Sequence, residues 1–164
     1  MHMMKEIDLA YFDTAKTRFQ STVELNCTPD RLFEIFEDGD SWPIWVGSIQ
    51  RVEWTSPQPV DVGTTRTVFM QGDLEGYEEF IAWERGKRMA FRFTHSNKDA
   101  MDAFGEDYIV EDLGDGRCKL TWTVVMEPRG ISKFFIAIGK PLMARMFRNI
   151  MAKDLPKYIR ANPA

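Results

Sequence analysis

The segment Ser21–Trp54 constrains the fold more than any other part of the chain. Residues 21–27 alternate between apolar and polar side chains, which is typical of a half-buried β-strand. Thr28, Pro29 and Asp30 then predict a helix start, with an N-cap, a proline in the first turn and an acidic side chain at the positive helix end. A Trp-Pro-x-Trp turn and a second alternating stretch follow. This order predicts short helices packed against a curved sheet, an arrangement that encloses space instead of filling it.

Alternating stretches joined by short turns predict seven strands of one antiparallel sheet. The strands are expected at residues 21–27, 51–55, 64–70, 75–83, 89–94, 106–111 and 117–126. Asp115-Gly116 is the clearest hairpin turn, because both residues tolerate positive φ. Residues 96–105 fit either a loop or a short helix, and residues 7–16 fit either an extra arm or a short helix.

Residues 131–160 predict a long C-terminal helix with a wide apolar stripe. The stripe consists of two rows of apolar side chains: Phe134, Ile138, Leu142, Met146 and Ile150 in one, and Phe135, Met143, Phe147, Met151 and Leu155 in the other. Pro141 is expected to bend or restart the helix, because it lacks a backbone donor and crowds the preceding turn. A stripe of this width predicts that the helix lies deep against the concave face of the sheet.

Bulk composition restricts the class of protein. The 164 residues suit a single domain with a substantial core. A net charge of −4 and a pI of about 5.3 argue against a nucleic-acid partner. No apolar run approaches the roughly 20 residues that a membrane span requires, and the N-terminus lacks the apolar run of a signal peptide. We therefore expect a cytoplasmic protein with no integral membrane segment, either a monomer or a homodimer.

The sequence offers little support for metal, phosphate or disulfide chemistry. Cys27 and Cys118 lie far apart without a partner motif, which favours buried reduced thiols over a disulfide. The only histidines are His2 and His95, and no cysteine or histidine pair has ligand spacing, so no metal and no cofactor are expected. The glycines occur in turns and form no phosphate-binding loop or Gly-x-Ser-x-Gly elbow.

The chain resembles the START/birch-pollen-allergen superfamily, specifically the bacterial polyketide cyclase/dehydrase and lipid transport (SRPBCC) proteins. The resemblance covers about residues 18–160 and is carried by these segments: Val23–Phe33, Ser41–Trp45, Arg51–Trp54, Gly63–Arg66, Phe80–Glu84, Arg88–Arg92 and Leu120–Thr123. It implies a helix-grip α+β fold, in which a seven-stranded curved antiparallel sheet wraps around the C-terminal helix and two short helices lie between the first two strands. It also implies one ligand-binding domain over residues 18–161, preceded by an arm of residues 1–17.

The resemblance further implies an elongated apolar cavity between the sheet and the long helix. An excess of 12 Phe and 10 Met suits either a large core or the walls of such a cavity. From strand alternation and helical spacing, we expect the following residues to line it: Trp45, Phe69, Glu78, Phe80, Phe91, Phe93, Tyr108, Trp122, Phe134, Ile138 and Phe147. A one-residue error in strand register would turn a strand's contribution outward.

Three polar residues are candidates for acid–base chemistry. Glu106 shares a strand face with Tyr108, and a carboxyl group inside an apolar cavity would have a raised pKa. The alternative is an ordinary salt bridge to Arg66 or Arg92 on a neighbouring strand, which applies equally to Glu78. His95 follows Phe91 and Phe93 in alternation, which would place it at the cavity rim, although a solvated loop position is the simpler interpretation.

Three functions remain open at this point. The preferred hypothesis is binding, with transport as a further role, of a small hydrophobic molecule such as a lipid, fatty acid, polyketide or aromatic metabolite. The second is a cyclase or dehydratase that uses Glu106, Tyr108 or His95 as general acid–base groups. The third is a protein-interaction or toxin-like regulatory role through residues 96–105 or the N-terminal arm.

Overall fold

A computed structural model describes residues 1–163 as a curved antiparallel sheet with helices on its inner face. The strands are β1 (His2–Met3), β2 (Thr17–Leu25), β3 (Ile49–Trp54), β4 (Thr65–Met70), β5 (Leu74–Glu84), β6 (Arg88–Ser96), β7 (Met101–Gly114) and β8 (Arg117–Pro128). Seven of them follow the order β2-β8-β7-β6-β5-β4-β3, and β1 pairs with β6. The seven-stranded sheet predicted from the sequence is confirmed, and the two-residue strand β1 is an addition to it.

The helices agree with the sequence and the family resemblance, and a short helix also forms within residues 7–16, which the sequence left open. They are α1 (Tyr11–Thr14), α2 (Pro29–Glu37), α3 (Trp42–Trp45), α4 (Ser132–Asn149) and α5 (Leu155–Ala161), with a π-helical segment (Ile150–Asp154) joining the last two. Two short helices thus lie between β2 and β3, and a long C-terminal helix closes the chain. The helix-grip α+β fold is confirmed.

Helix α2 begins at the capping residue and proline that the sequence predicted. The Thr28 hydroxyl accepts a hydrogen bond from the backbone N–H of Arg31 at 3.2 Å, and Pro29 occupies the first turn. One face buries Leu32, Phe33, Ile35 and Phe36, which anchors the helix against the sheet. Trp42 in α3 continues this packing, with its ring 5.9 Å from that of Phe36.

Two strands begin four or five residues before their predicted starts, and the other strands differ from prediction by at most two residues at either end. Strand β2 begins at Thr17, four residues before Ser21, because its pairing with β8 continues to Thr17 opposite Met126. Strand β7 begins at Met101, so much of the segment 96–105 is strand instead of a loop or a short helix. Cross-strand pairing with β8 supplies the hydrogen bonds that local sequence did not reveal.

The N-terminal arm, left ambiguous by the sequence, covers the outer face of the sheet. Ile7 and Phe12 are buried against Ala90, Ala103 and Val125, which point away from the helix side. Met4, by contrast, packs against the main core on the inner side. The arm therefore contacts both faces of the sheet.

The C-terminal helix differs from expectation in two respects. Pro141 lies inside α4 without ending it, and the irregularity falls instead in the π-helical segment. No side chain of α4 is fully buried, and Met143 and Phe147 are only partly so. The expectation that the whole apolar stripe lies deep against the sheet is wrong, because the stripe spans two opposite faces of α4 and the sheet covers only one.

Candidate functional site

A cavity of about 210 Å³ lies between the inner face of the sheet and the C-terminal helix. Its wall is predominantly apolar and contains several methionines: Met4, Met70, Met101, Met126 and Met143. Phe91, Phe93 and Phe104 contribute from the central strands. Flexible thioethers and aromatic rings form an adaptable apolar surface, and this wall takes up five of the 10 methionines.

Six residues of the predicted lining lie in this wall, and Glu106 lies there with them. They are Glu78, Phe91, Phe93, Tyr108, Trp122 and Phe147. Strand alternation places the first five on the inner face, and Phe147 faces them from α4 with its ring 5.3 Å from that of Trp122. Whether they contact a ligand stays a prediction.

Phe69 lies on the opposite face from the one predicted. Arg66, Val68 and Met70 of β4 line the cavity, whereas the guanidinium of Arg51 covers the Phe69 ring at 3.9 Å. Neighbouring residues of a strand point to opposite faces of the sheet. The prediction that Phe69 faces the cavity therefore assigned every residue of β4 to the wrong face.

Trp45 and Phe80 are buried but do not line the cavity; they pack against residues that do. Trp42, not Trp45, reaches the cavity, and the two rings pack at 4.8 Å. Phe80 packs between Trp54 and Phe91, which separates it from the cavity. Both residues therefore support the wall from outside it.

Phe134 and Ile138 lie on the outward face of α4. They are 63% and 64% exposed and take no part in the cavity wall. The inward positions of the helix are Met143 and Phe147.

The two predicted rows of the helix do not match its two faces. Phe135, placed with Met143 and Phe147, is exposed. Ile150, placed with Phe134, is buried in the cavity wall. Helical periodicity alone does not tell which side chains face the sheet.

A β-bulge removes His95 from the cavity. Glu78 pairs with Phe93 while Tyr77 pairs with His95, so Thr94 is one residue in excess. Beyond the bulge, the His95 ring stacks on that of Tyr77 at 4.1 Å, and Ser96 takes the place in the wall. The expectation that His95 lies at the cavity rim is thus wrong.

The polar part of the wall centres on Arg66, which is 1% exposed. Its Nε donates a hydrogen bond to a carboxylate oxygen of Glu78, which lies directly opposite on β5. The guanidinium is surrounded by aromatic rings, with Cζ 4.4 Å from the ring centre of Trp42 and 4.9 Å from that of Phe91. Cation–π attraction and the ion pair together stabilise the buried charge.

Glu106 forms a second polar group in the wall. Its Oε2 accepts hydrogen bonds from the Tyr108 hydroxyl at 2.5 Å and from the Trp122 Nε1 at 2.9 Å. This arrangement holds the carboxyl group in one orientation beside the cavity. It joins the carboxyl to a phenol, two groups that could exchange a proton with a bound molecule.

Burial controls the protonation of these groups. Loss of hydration raises the pKa of Glu78 from 4.5 to about 7, although the charge of Arg66 opposes the shift. Loss of hydration also raises the pKa of Glu106, against the hydrogen bonds from Tyr108 and Trp122, and raises that of Tyr108. The cavity therefore contains carboxyl groups that gain and lose protons closer to neutral pH than exposed ones.

One donor in this cluster has no acceptor. Arg66 Nη1 is buried and finds no hydrogen-bond partner within residues 1–163. A buried donor without an acceptor costs about 1–3 kcal/mol. An oxygen atom of a molecule in the cavity would be stabilised at this position.

Arg66 lies in the cavity wall, although its sequence context predicted only a salt-bridge partner. The available signal was its alternation with Val68 and Met70, which share its strand face. A charged residue in an otherwise apolar row indicates either an outward face or a functional group. Because Val68 and Met70 on the same strand face are apolar, the sequence favours a functional group over an outward face.

Two further features bear on the type of site. Within residues 1–163, no cluster of three or more His, Cys, Asp or Glu side chains is arranged to hold a metal ion. In the same part of the chain, no helix is both long and apolar enough to cross a membrane.

Comparison with known proteins agrees with the class that fold and cavity define, a helix-grip protein with an apolar interior. The family model described as "Polyketide cyclase / dehydrase and lipid transport" matches residues 16–158. The chain belongs to this family. Uncharacterized proteins of Mycobacterium tuberculosis and Mycobacterium bovis are 40% identical to it over 161 residues, which cover 98% of this chain and 95% of theirs.

Solved structures show the same fold at low sequence identity. A protein from Thermus thermophilus superimposes with a TM-score of 0.72 at 13% identity, covering 90% of this chain and 100% of that one. The ZhuI aromatase/cyclase from Streptomyces gives 0.66 at 12% identity, with 90% and 96% covered. A START superfamily protein from Mycobacterium smegmatis gives 0.59 at 13% identity, with 82% and 96% covered.

Proposed function

We propose that the protein binds a small hydrophobic molecule in the cavity, with an acceptor oxygen of that molecule directed at Arg66. The observation that carries this proposal is a buried guanidinium in an apolar wall, with Nη1 lacking a hydrogen-bond partner within residues 1–163. Apolar walls supply affinity, while a few polar groups fix orientation. An acceptor on the ligand would remove the cost of the unpaired donor.

The cavity volume restricts the ligand. At about 210 Å³ it exceeds the cavity of about 150 Å³ that accommodates benzene in an engineered protein. A compact aromatic ketone, an aromatic acid or a short acyl chain suits this volume better than a long-chain lipid does. Among the ligands that the family resemblance suggested, an aromatic or polyketide-like metabolite therefore fits best.

The proposed unit is the domain of residues 18–161, with Met4 of the arm completing the wall. We also propose a cytoplasmic location, a monomeric or homodimeric state, and transport of the bound molecule. Its core is the binding step, which can be tested on the purified protein alone.

The first test identifies what the purified protein carries. Native mass spectrometry followed by organic extraction should reveal an apolar molecule with a carbonyl, carboxyl or phenol oxygen. Binding of 2-acetylnaphthalene and 2-ethylnaphthalene, which differ by one carbonyl oxygen, should then be compared by calorimetry. We expect the ketone to bind about tenfold more tightly, the effect of one satisfied buried donor. Equal affinities would show that Arg66 does not orient the ligand, and binding of neither would contradict the proposal.

A second candidate function is general acid–base catalysis of the cyclase or dehydratase type. The hydrogen bond between the Tyr108 hydroxyl and Glu106 in the cavity wall favours it, together with the raised pKa of Glu106. In Glu106→Gln, the amide oxygen can still accept the hydrogen bonds of Tyr108 and Trp122. Loss of turnover of a poly-β-ketone with retained affinity for 2-acetylnaphthalene would support catalysis, and unchanged turnover would exclude Glu106.

A further inference from the structure

Helix α4 carries a row of large apolar side chains that no other part of the described chain covers. We define its outer face as Ile131, Phe134, Phe135, Ile138, Leu142 and Met146, all of which are exposed and several by more than three-fifths. Their spacing of three or four residues places them on one side of the helix. Contiguous exposed apolar surface of this kind marks a site of interaction.

The outer face lies opposite the side of α4 that forms the cavity wall. Met143 and Phe147 point inward, and Phe147 contacts Phe19 and Trp122 with ring distances of 5.2 and 5.3 Å. Neither side chain belongs to the outer face. The apolar character of α4 therefore exceeds what packing on the sheet requires, and the excess is directed to the exterior.

Charge on the same helix is entirely positive. Between Arg129 and Lys153 the sequence has six basic residues and no acidic one, although the whole chain has a net charge of −4. Five of the six are exposed and form no ion pair within residues 1–163: Lys133, Lys140, Arg145, Arg148 and Lys153. Arg129, before the helix, pairs with Asp99 and Asp102, whereas the other five side chains have no such partner in the described chain.

From this combination we propose that the outer face of α4 docks on the surface of a lipid bilayer that contains anionic lipids. A helix with exposed aromatic and aliphatic side chains and basic neighbours is the type that lies in the bilayer interface. Phe134 and Leu142 would enter the boundary between head groups and acyl chains. The long side chains of Arg145 and Arg148 would extend toward the phosphate groups.

Charge distinguishes this occupant from a second copy of the chain. Lys140 lies over Phe19 on the sheet side, but Arg145 lies one turn after Leu142 and flanks the outer face. If two copies paired through this face, their Arg145 side chains would be brought together, and like charges would oppose association. An anionic lipid surface balances the same charges. Docking does not depend on the cavity holding a ligand, so it goes beyond the proposed function and can succeed or fail separately.

The test is co-sedimentation of the full chain with vesicles of phosphatidylcholine, with and without phosphatidylglycerol. We expect strong retention only when phosphatidylglycerol is present, and release at high salt because salt screens the charges. Arg145→Gln and Arg148→Gln should each weaken partitioning about fivefold. Leu142→Ser should weaken it about tenfold or more, because an apolar side chain no longer enters the interface.

Matched controls keep the result specific. Ile44→Ser removes an equally exposed apolar side chain elsewhere, and Lys16→Gln removes an exposed basic one outside α4; both should bind vesicles like the unaltered protein. Circular dichroism melting should show that Leu142→Ser stays folded, as expected for a side chain that is 73% exposed. Absence of binding to either vesicle would overturn the proposal, as would equal binding to both. A dimer that Leu142→Ser dissociates would assign the face to a second copy instead.

Discussion

Arg66 and Glu78 lie directly opposite each other on adjacent antiparallel strands, and their side chains form an ion pair that is almost completely removed from solvent. Both line the cavity. The pair is therefore a structural element and a candidate ligand contact at the same time. Substitution of one or both residues measures how much the pair contributes to the stability of the fold.

Removing one partner should be far more harmful than removing both. Arg66→Leu leaves the Glu78 carboxyl buried without its cation, and we expect a loss of about 3–5 kcal/mol in the free energy of unfolding at neutral pH. The double variant with Glu78→Leu should recover most of this loss, because replacing a buried pair by apolar side chains is often nearly neutral. Urea denaturation of the single and double variants measures the difference. A single variant as stable as the unaltered protein would contradict the description of the pair.

Stability should fall as pH rises from about 4.5 to about 7. The folded state raises the pKa of Glu78 from 4.5 to about 7, so it holds the proton more tightly than the unfolded chain does. This contribution is fully present below 4.5, declines as pH increases, and is lost above about 7. The raised pKa of Glu106 acts in the same direction.

Urea denaturation at about pH 5 and about pH 8 tests this dependence. Glu78→Gln should remove much of the difference between the two conditions. Glu79→Gln serves as the control, because Glu79 lies on the opposite face of β5 and pairs with Arg92 at 2.9 Å. If Glu78→Gln and Glu79→Gln change the pH dependence equally, buried Glu78 is not its source.

The cavity should be sensitive to an added methyl group at Gly76. A Cβ there would lie 2.2 Å from a ring carbon of Phe93, which lines the cavity. We expect Gly76→Ala to move this ring, lower stability by about 1–3 kcal/mol and alter ligand affinity. Gly47→Ala is the matched control, because a Cβ at Gly47 has no neighbour within 4 Å. Equal melting temperatures for the two variants would show that Phe93 moves aside without cost.

The two faces of α4 should respond differently to loss of a phenylalanine. Phe147→Ala removes ring contacts with Phe19 and Trp122, and we expect a loss of about 2 kcal/mol together with a larger cavity. Phe134→Ala should change stability by less than about 0.5 kcal/mol, because Phe134 is 63% exposed. Thermal denaturation and binding of a bulkier naphthalene ketone measure both effects. The reverse order of stability would mean that α4 is rotated about its axis.

The fold could be predicted because its signals are local and repeated. Thr28, Pro29 and Asp30 mark the start of α2 by chemistry that operates within one turn. Alternation and the Asp115-Gly116 turn delimit the last two strands, which the structure joins as a hairpin. The family resemblance supplied the order in which these elements pack.

The site was harder to predict because its placement depends on long-range register. Phe69 and Val68 are both apolar, and only pairing across the sheet decides which of them faces inward. The extra residue at Thr94, which turns His95 outward, leaves no mark in the local sequence. Arg66 is a charged residue at an inward position, where apolar residues are expected. The alternation of apolar and polar residues therefore did not predict it in the cavity wall.

The N-terminal arm connects the two faces of the sheet. Met4 belongs to the cavity wall, while Ile7 and Phe12, a few residues later, are held against Ala90 on the far side of the sheet. The first residues thus work as a strap fastened at both ends around the sheet. Release of this strap would remove Met4 from the cavity wall and uncover Ala90 on the far side of the sheet in the same movement.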